Sequence, residues 1–359
     1  CILRCCMLLR RAIVVSKPHL RSFRLHASSS SSAAAPAMKL LVVAAPDTAE
    51  LSVLEELPSA VERFGPFSSA EEVKAGVSAA MLDGVDVLLA ARGANKAMLQ
   101  ALWPQLPSLR WMHVSSAGIE HILFPELISS SVTVTNAKGI FSNSLAEYAM
   151  FAFKYFALDI PRLRRAQSAR VWDSFCVEEL TGKRVGIVGY GDIGSAIARL
   201  AKEYAMTVGA YRRRAELLEG DPLVDEAFTS VVELARASDY VVVATPGTPA
   251  TEKIFSAEAI AAMPAHAVLC SLGRGKCVDQ PALVEALKAG NIKGAALDVF
   301  EQEPLPPESE LWGLENCLIT PHNADRTTHF QHDSVRFFTQ NAAAFLKGEP
   351  LKNTVDPTA

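Results

Sequence analysis

Thr181–Leu200 reads TGKRVGIVGYGDIGSAIARL, and within it Gly189, Gly191 and Gly194 stand in the spacing G-x-G-x-x-G. Glycines in that spacing also occur in ordinary turns, so the context carries the argument. An apolar run, Val185–Val188, precedes them and reads as a strand. Ile193, Ile197, Leu200 and Tyr204 follow at helical spacing. A strand, a glycine turn and a helix in that order predict a dinucleotide-binding βα unit. The first glycine permits the tight turn, the second lets a pyrophosphate approach the helix N-terminus, and the third lets helix and strand pack closely.

Outward from this unit, short apolar runs alternate with helical patterns. Strands are expected at Leu40–Ala45, Val85–Ala90, Trp111–Val114, Val132–Thr135, Arg184–Val188 and Thr207–Ala210. Four more follow at Tyr240–Ala244, Ala267–Leu272, Ala295–Val299 and Cys317–Thr320. Helical stretches such as Ser144–Phe156 and Gly191–Tyr204 separate them, a pattern of βαβ units and parallel sheets. The helix after Ser144 reads as a connector between an N-terminal and a central unit. The last helix, near Ser334–Lys347, is placed to return to the first unit.

In a chain of 359 residues there is room for two domains and a short extra segment. The net charge of −4 is unevenly spread: residues 1–46 hold seven basic residues and no acid, leaving −11 for the rest. So acidic a body argues against nucleic acid as a partner. No uncharged apolar run reaches the ~18 residues of a membrane span. Seven cysteines lie scattered without a C-x-x-C pair, which fits a reducing compartment and no structural zinc. Residues 1–37 are Arg-rich, free of acid and end in Ser28–Ser32 followed by alanines. That composition predicts an organelle transit peptide, mitochondrial or plastid alike, with the folded part starting near Met38 and the true start of the chain upstream of Cys1. If the leader is not functional, the expectation is cytoplasmic.

About twenty residues past the glycines, such folds usually place an acid on the ribose 2′-hydroxyl. Here Arg212, Arg213 and Arg214 stand in its place, and no carboxylate ends the strand before them. Guanidinium groups pair with a 2′-phosphate, so NADP is the expected cofactor, with NAD possible. Ligands of doubly wound sheets lie beyond the carboxyl ends of the strands. Three later strands each deliver a polar residue there: Arg274 in SLGRGKCVD, Glu303 in ALDVFEQEP and His322 in ITPHNAD. Taken singly, each also fits a turn cap, a solvated loop acid or a structural histidine. Together they suit carbonyl reduction: a cation to bind a carboxylate and polarise the carbonyl, an imidazole to deliver a proton, and a carboxylate to hold the imidazole tautomer.

With these residues in place, the chain over about 39–355 resembles the D-isomer-specific 2-hydroxyacid dehydrogenases, which include glyoxylate/hydroxypyruvate reductases. VGIVGYGDIG, SLGRGKCVDQPALVEAL, GAALDVFEQEPLP and ENCLITPH carry the resemblance. It implies Arg274, Glu303 and His322 as the catalytic residues, and Asp298 as the contact of the nicotinamide carboxamide. Further cofactor contacts are implied at Ser142, Asp192, Ile193, Pro246, Thr251 and Leu272. The loop VSSAGIE implies substrate carboxylate binding by the amides near Ala117 and Gly118, and Arg92 matches a position that often faces the substrate. The chain departs from the family at Ser271, where many members have Asn. It departs also at Phe141 and at NADRTTHF after His322, where Asp325 and Arg326 replace small or apolar residues. His322, Asp325, His329, His332 and Asp333 invite a metal reading, but the family implied works without metal, and none is expected.

The resemblance thus implies an α/β fold of two Rossmann-like doubly wound parallel-sheet domains, the substrate domain discontinuous. The boundaries expected are 38–143 with 323–359 for the substrate domain and 144–322 for the dinucleotide-binding domain. The activity implied is hydride transfer from NADPH or NADH to a small 2-oxo acid, such as glyoxylate or hydroxypyruvate, giving the D-2-hydroxy acid. By analogy with the family the chain is expected to be a homodimer without nucleic-acid or membrane partners. A second reading keeps the fold as a dinucleotide-sensing binding protein. The organelle signal and the lack of long interaction tails argue against it.

Overall fold

The structure, a computed structural model, describes residues 38–356. The stretch 1–37, read above as a targeting signal, lies outside them. Five strands open the chain: β1 (Met38–Val43), β2 (Val61–Phe67), β3 (Val87–Ala90), β4 (Trp111–Val114) and β5 (Thr133–Asn136). Seven more run from the glycine unit onward: β6 (Arg184–Val188), β7 (Thr207–Tyr211), β8 (Glu226–Phe228), β9 (Tyr240–Val243), β10 (Val268–Ser271), β11 (Gly294–Leu297) and β12 (Cys317–Ile319). β13 (Thr354–Val355) ends the described chain.

Among the described residues these strands form two sheets. The first has six strands in the order β13-β5-β4-β3-β1-β2, and the second seven in the order β12-β11-β10-β9-β6-β7-β8. All pairings are parallel except β13 on β5. Both sheets are doubly wound, and the first is assembled from two separated stretches of chain, because β13 returns to it from the far end. Central strands such as β3 (VLLA) and β9 (YVVV) are buried throughout. Parallel strands covered by helices on both faces need such unbroken apolar runs.

The helix Ser142–Ala157 carries the chain between the sheets. Leu145, Ala149, Phe153 and Phe156 form its buried stripe against the core under β6 and β9. The return helix, Phe330–Lys347, buries Val335, Phe338 and Ala342 against the far face of the first sheet. There Phe338 stacks on Trp111 of β4, with ring centroids 5.1 Å apart.

Three strands were not expected from the sequence. β2 (VERFGPF) carries charges and Pro66, features that argue against a central strand, and it occupies the sheet edge, where a missing donor is tolerated. β8 and β13 are edge strands of three and two residues, too short for a periodic signal. The return helix starts at Phe330, four residues before the predicted Ser334, so His332 lies within it. No helix among the described residues is long and apolar enough to cross a membrane.

Candidate active site

The glycine turn after β6 shows three different demands on its glycines. Gly189 has φ +99°, and a Cβ there would lie 2.8 Å from the Thr245 side chain and 2.9 Å from the Ala244 carbonyl. A Cβ on Gly194 would lie 2.6 Å from the Gly189 carbonyl oxygen. Gly191 differs, because a Cβ there would meet no atom within 4 Å. Directly after it begins the helix Asp192–Glu203, whose first amides no side chain caps. Close packing at two glycines and free approach at the middle one fit a pyrophosphate on this helix terminus.

The surroundings fit a dinucleotide too. The hydroxyl of Ser142 is buried without a hydrogen-bond partner, as are those of Thr245 and Ser271. A buried unpaired hydroxyl costs about 1–3 kcal/mol, so such groups await a partner. Asp192 at the helix start is ion-paired with Lys138 at 3.1 Å, and Ile193 packs partly buried on the core. Pro246 and Thr251 belong to one loop after β9: the Thr251 hydroxyl donates to the Pro246 carbonyl and accepts from the Thr248 amide at 2.9 Å. That hydroxyl therefore staples the loop. Leu272 is core, with its amide bonded to the Val243 carbonyl at 2.9 Å. Arg212 follows β7 half-buried and Arg213 is exposed, and among the described residues neither forms an ion pair.

Arg274, Glu303 and His322 leave the ends of β10, β11 and β12, neighbouring strands of this same sheet. Glu303 Oε2 lies 2.7 Å from His322 Nδ1, and its Oε1 accepts from the Phe300 amide at 3.0 Å. A carboxylate only accepts, so Nδ1 carries a hydrogen, while Nε2 makes no hydrogen bond among the described residues. Both side chains are about one-third exposed, at 38% for His322 and 35% for Glu303. Arg274 is steadied by a bond from its Nη1 to the Gly273 carbonyl at 2.9 Å. Its guanidinium then crosses to the loop after β4, where a Cβ on Gly118 would lie only 1.9 Å from Nη2. The first sheet thus supplies the glycine on which the second sheet's arginine rests.

That loop adds residues the sequence did not reveal. Glu120 Oε1 stands 3.5 Å from Arg274 Nε. Burial holds the neighbouring His121 below the usual imidazole range, with Glu120 opposing and Arg274 adding to the shift. The amides of Ala117 and Gly118 enter no hydrogen bond among the described residues. Their carbonyls are occupied: Ser116 Oγ donates to Gly118 at 2.6 Å, and Asn136 Nδ2 donates to Ala117. Amide donors left free beside a guanidinium are chemically suited to a carboxylate. Arg92 follows β3, the strand that neighbours β4 in the first sheet. It donates to the Asp47 carbonyl at 3.0 Å and lies 3.8 Å from the buried Glu50 carboxylate. With the Gln331 amide turned so that its nitrogen faces the carboxylate, it donates to both Glu50 oxygens at 2.9 and 3.1 Å.

Asp298, expected at the nicotinamide carboxamide, is 2% exposed and already much engaged. Its Oδ1 accepts from the Thr320 hydroxyl at 2.6 Å and from the amides of Asn323 at 3.0 Å and Ala324 at 3.2 Å. These bonds wrap the turn that holds His322 at φ +51°, a left-handed conformation costing an L-residue roughly 1–2 kcal/mol. Nearby, burial pushes the Asp325 carboxyl upward, with His322 opposing and Asp298 reinforcing the rise. Among the described residues no three His, Cys, Asp or Glu side chains gather as metal ligands, the His329–His332 pair included.

Residues 152–324 match the family described as D-isomer specific 2-hydroxyacid dehydrogenase, NAD binding domain. A glyoxylate reductase of Pyrococcus furiosus is 32% identical over 259 residues, covering 70% of this chain and 76% of that protein. The chain belongs to the D-isomer-specific 2-hydroxyacid dehydrogenases. Solved structures agree with this assignment. A member from Aeromonas salmonicida matches 89% of this chain and 99% of its own at 26% identity, with a TM-score of 0.75. An NADPH-dependent glyoxylate/hydroxypyruvate reductase from Sinorhizobium meliloti matches 89% of this chain and 98% of its own at 27% identity, with a TM-score of 0.72. The dehydrogenase described here is therefore an oxidoreductase acting between 2-oxo and 2-hydroxy acids, with the dinucleotide fold on its second sheet.

Proposed function

We propose that this dehydrogenase reduces a small 2-oxo acid, glyoxylate or hydroxypyruvate, with NADPH, giving the D-2-hydroxy acid where the product is chiral. The observation that carries this reading is the His322–Glu303 pair at 2.7 Å on the sheet that bears the glycine turn, with Arg274 on the adjacent strand end. NADPH, when bound along the glycine turn, supplies the hydride for the carbonyl carbon. Arg274 and the amides of Ala117 and Gly118 hold the substrate carboxylate, and the guanidinium polarises the carbonyl. His322 gives the proton at Nε2 to the developing alkoxide, while Glu303 fixes the ring through Nδ1. Arg212 and Arg213 receive the 2′-phosphate. Names of two similar proteins support the substrate class: the archaeal relative is a glyoxylate reductase, and the Sinorhizobium protein an NADPH-dependent glyoxylate/hydroxypyruvate reductase.

The assembly proposed is a homodimer. The helix Ile160–Ala169 buries none of its residues, and beyond it Trp172 is 97% exposed beside Val171 and Val177. Such an apolar arm favours cover by a second copy. The basic leader composition supports import into an organelle.

NADPH oxidation followed with a panel of 2-oxo acids, and then with NADH, tests the reading. Turnover of glyoxylate or hydroxypyruvate with at least about tenfold preference for NADPH is expected, since a charge-assisted hydrogen bond is worth roughly 1.5–3 kcal/mol. Arg212→Asp should reverse that preference. Equal use of both coenzymes, unmoved by the substitution, would leave the arginines as a solvated turn.

A further inference from the structure

The turn bearing His322 is tied to the helix that joins the two sheets. Thr320 Oγ1 donates its only proton to Asp298 Oδ1 at 2.6 Å. Tyr148, on the helix Ser142–Ala157, lies 2.8 Å from the same Thr320 oxygen. Because the threonine proton is already committed, the tyrosine must be the donor of that second bond. The polarity is therefore fixed along the whole chain, from the Tyr148 hydroxyl through the Thr320 hydroxyl to the Asp298 carboxylate. Burial pushes the Tyr148 phenol well above its usual range, which keeps its proton in place.

Asp298 is buried, and among the described residues hydroxyl and amide donors alone satisfy it. Two of those amides, from Asn323 and Ala324, directly follow His322. On its other side His322 donates its own amide to the Thr320 carbonyl at 3.0 Å. Thr320 thus grips the histidine turn from both ends, by its carbonyl and by the carboxylate that its hydroxyl orients. A left-handed histidine held this way has its ring direction set by the turn.

We infer that Thr320 and Tyr148 are positioning residues for His322, acting through Asp298 to aim its imidazole at the reacting carbonyl. The inference rests on the reductase reading above, with His322 as proton donor. Neither residue is placed to touch substrate, so their removal acts on turnover and leaves substrate capture by Arg274 in place. A buried polar chain of this kind holds geometry only while every member keeps its partner.

Thr320→Val keeps the side-chain shape and deletes the hydroxyl, Thr320→Ser keeps the hydroxyl, and Tyr148→Phe removes only the terminal donor. Steady-state kinetics and 15N-histidine NMR spectra of the four proteins, with His322→Asn to assign the signal, form the test. Thr320→Val should lower kcat by about tenfold or more, as small misplacements of reacting groups do, with KM for the 2-oxo acid within about twofold. Tyr148→Phe should lower kcat by a smaller factor, and Thr320→Ser should retain most of it. The His322 ring signals should move in the Val and Phe variants and stay in the Ser variant. Should Thr320→Val not fold, Tyr148→Phe alone decides by the same readings. Unmoved His322 signals with native kcat in the folded variants overturn the inference. Were the wild type to reduce no 2-oxo acid, the reductase reading would fall, and the NMR comparison would still decide whether the chain sets the ring.

Discussion

The glycine turn and the candidate catalytic cluster sit on one sheet, yet they are built by opposite means. The turn after β6 is made of backbone: a positive φ at Gly189, a close approach at Gly194 and an open amide terminus at Gly191. Its requirements fall within six residues. The cluster is made of side chains gathered from the ends of β10, β11 and β12, and its arginine rests on Gly118 from the other sheet. A backbone site tolerates almost no change at its glycines and needs little from elsewhere. A side-chain site depends on distant elements that hold each group in register.

That contrast can be strained at several points. Gly118→Ala should have the largest effect. Its Cβ would lie 1.9 Å from Arg274 Nη2, the mobile end of a side chain, so the fold should survive while the guanidinium moves. A loss of about 10²-fold in kcat/KM with Tm little changed is expected, the scale of a misplaced catalytic group. Native efficiency in this variant would detach Arg274 from the substrate loop.

Gly191→Ala and Gly194→Ala separate approach from packing. An added methyl at Gly191 meets no protein atom within 4 Å, whereas at Gly194 it meets the Gly189 carbonyl oxygen at 2.6 Å. The first should keep Tm and weaken NADPH binding about tenfold, roughly 1.4 kcal/mol, and the second should lower both. Isothermal titration beside thermal melts reads the two effects apart. Equal loss of Tm in the two variants would refute the distinction.

A smaller effect tests the first sheet, which has no such motif. His113 on β4 is wholly buried beside Trp111, Thr135 and Phe338, and burial pushes its imidazole down to about 3 from 6.5. The unfolded chain therefore takes up a proton that the fold refuses. Above about pH 6.5 the ring is neutral folded or unfolded and adds no pH dependence, and stability falls as pH drops from there toward about 3, by at most ~1.4 kcal/mol per unit. His113→Gln should show a shallower fall of Tm between about pH 6.5 and 4.5 than the wild type. Parallel curves would show that the ring titrates freely in the fold.

What the sequence revealed follows the same division. β4 and β6 begin and end where the sequence pattern predicts. β2, at an edge and holding Pro66, and the two-residue β13 owe their pairing to the sheet that receives them. In the site, Arg274, Glu303 and His322 were legible because each follows a strand, and Gly118 because it lies in a loop resembling the family's. Tyr148 was not, since it meets Thr320 across 172 residues and no local spacing encodes that bond. Glu120 is likewise defined by the arginine that reaches it from the other sheet. Arg92, suggested by the family resemblance, is tied to Asp47 and Glu50, partners that lie over 40 residues away and that no local spacing encodes.

On the proposed reading, dinucleotide binding and proton delivery are separate constructions on one sheet. His322→Asn tests it most directly, with NADPH affinity and the turnover of glyoxylate and hydroxypyruvate measured on the same protein. The predicted result is affinity within about twofold of wild type and a kcat reduced at least ~10²-fold, the usual size of acid–base assistance. Near-native turnover at saturating NADPH would contradict it.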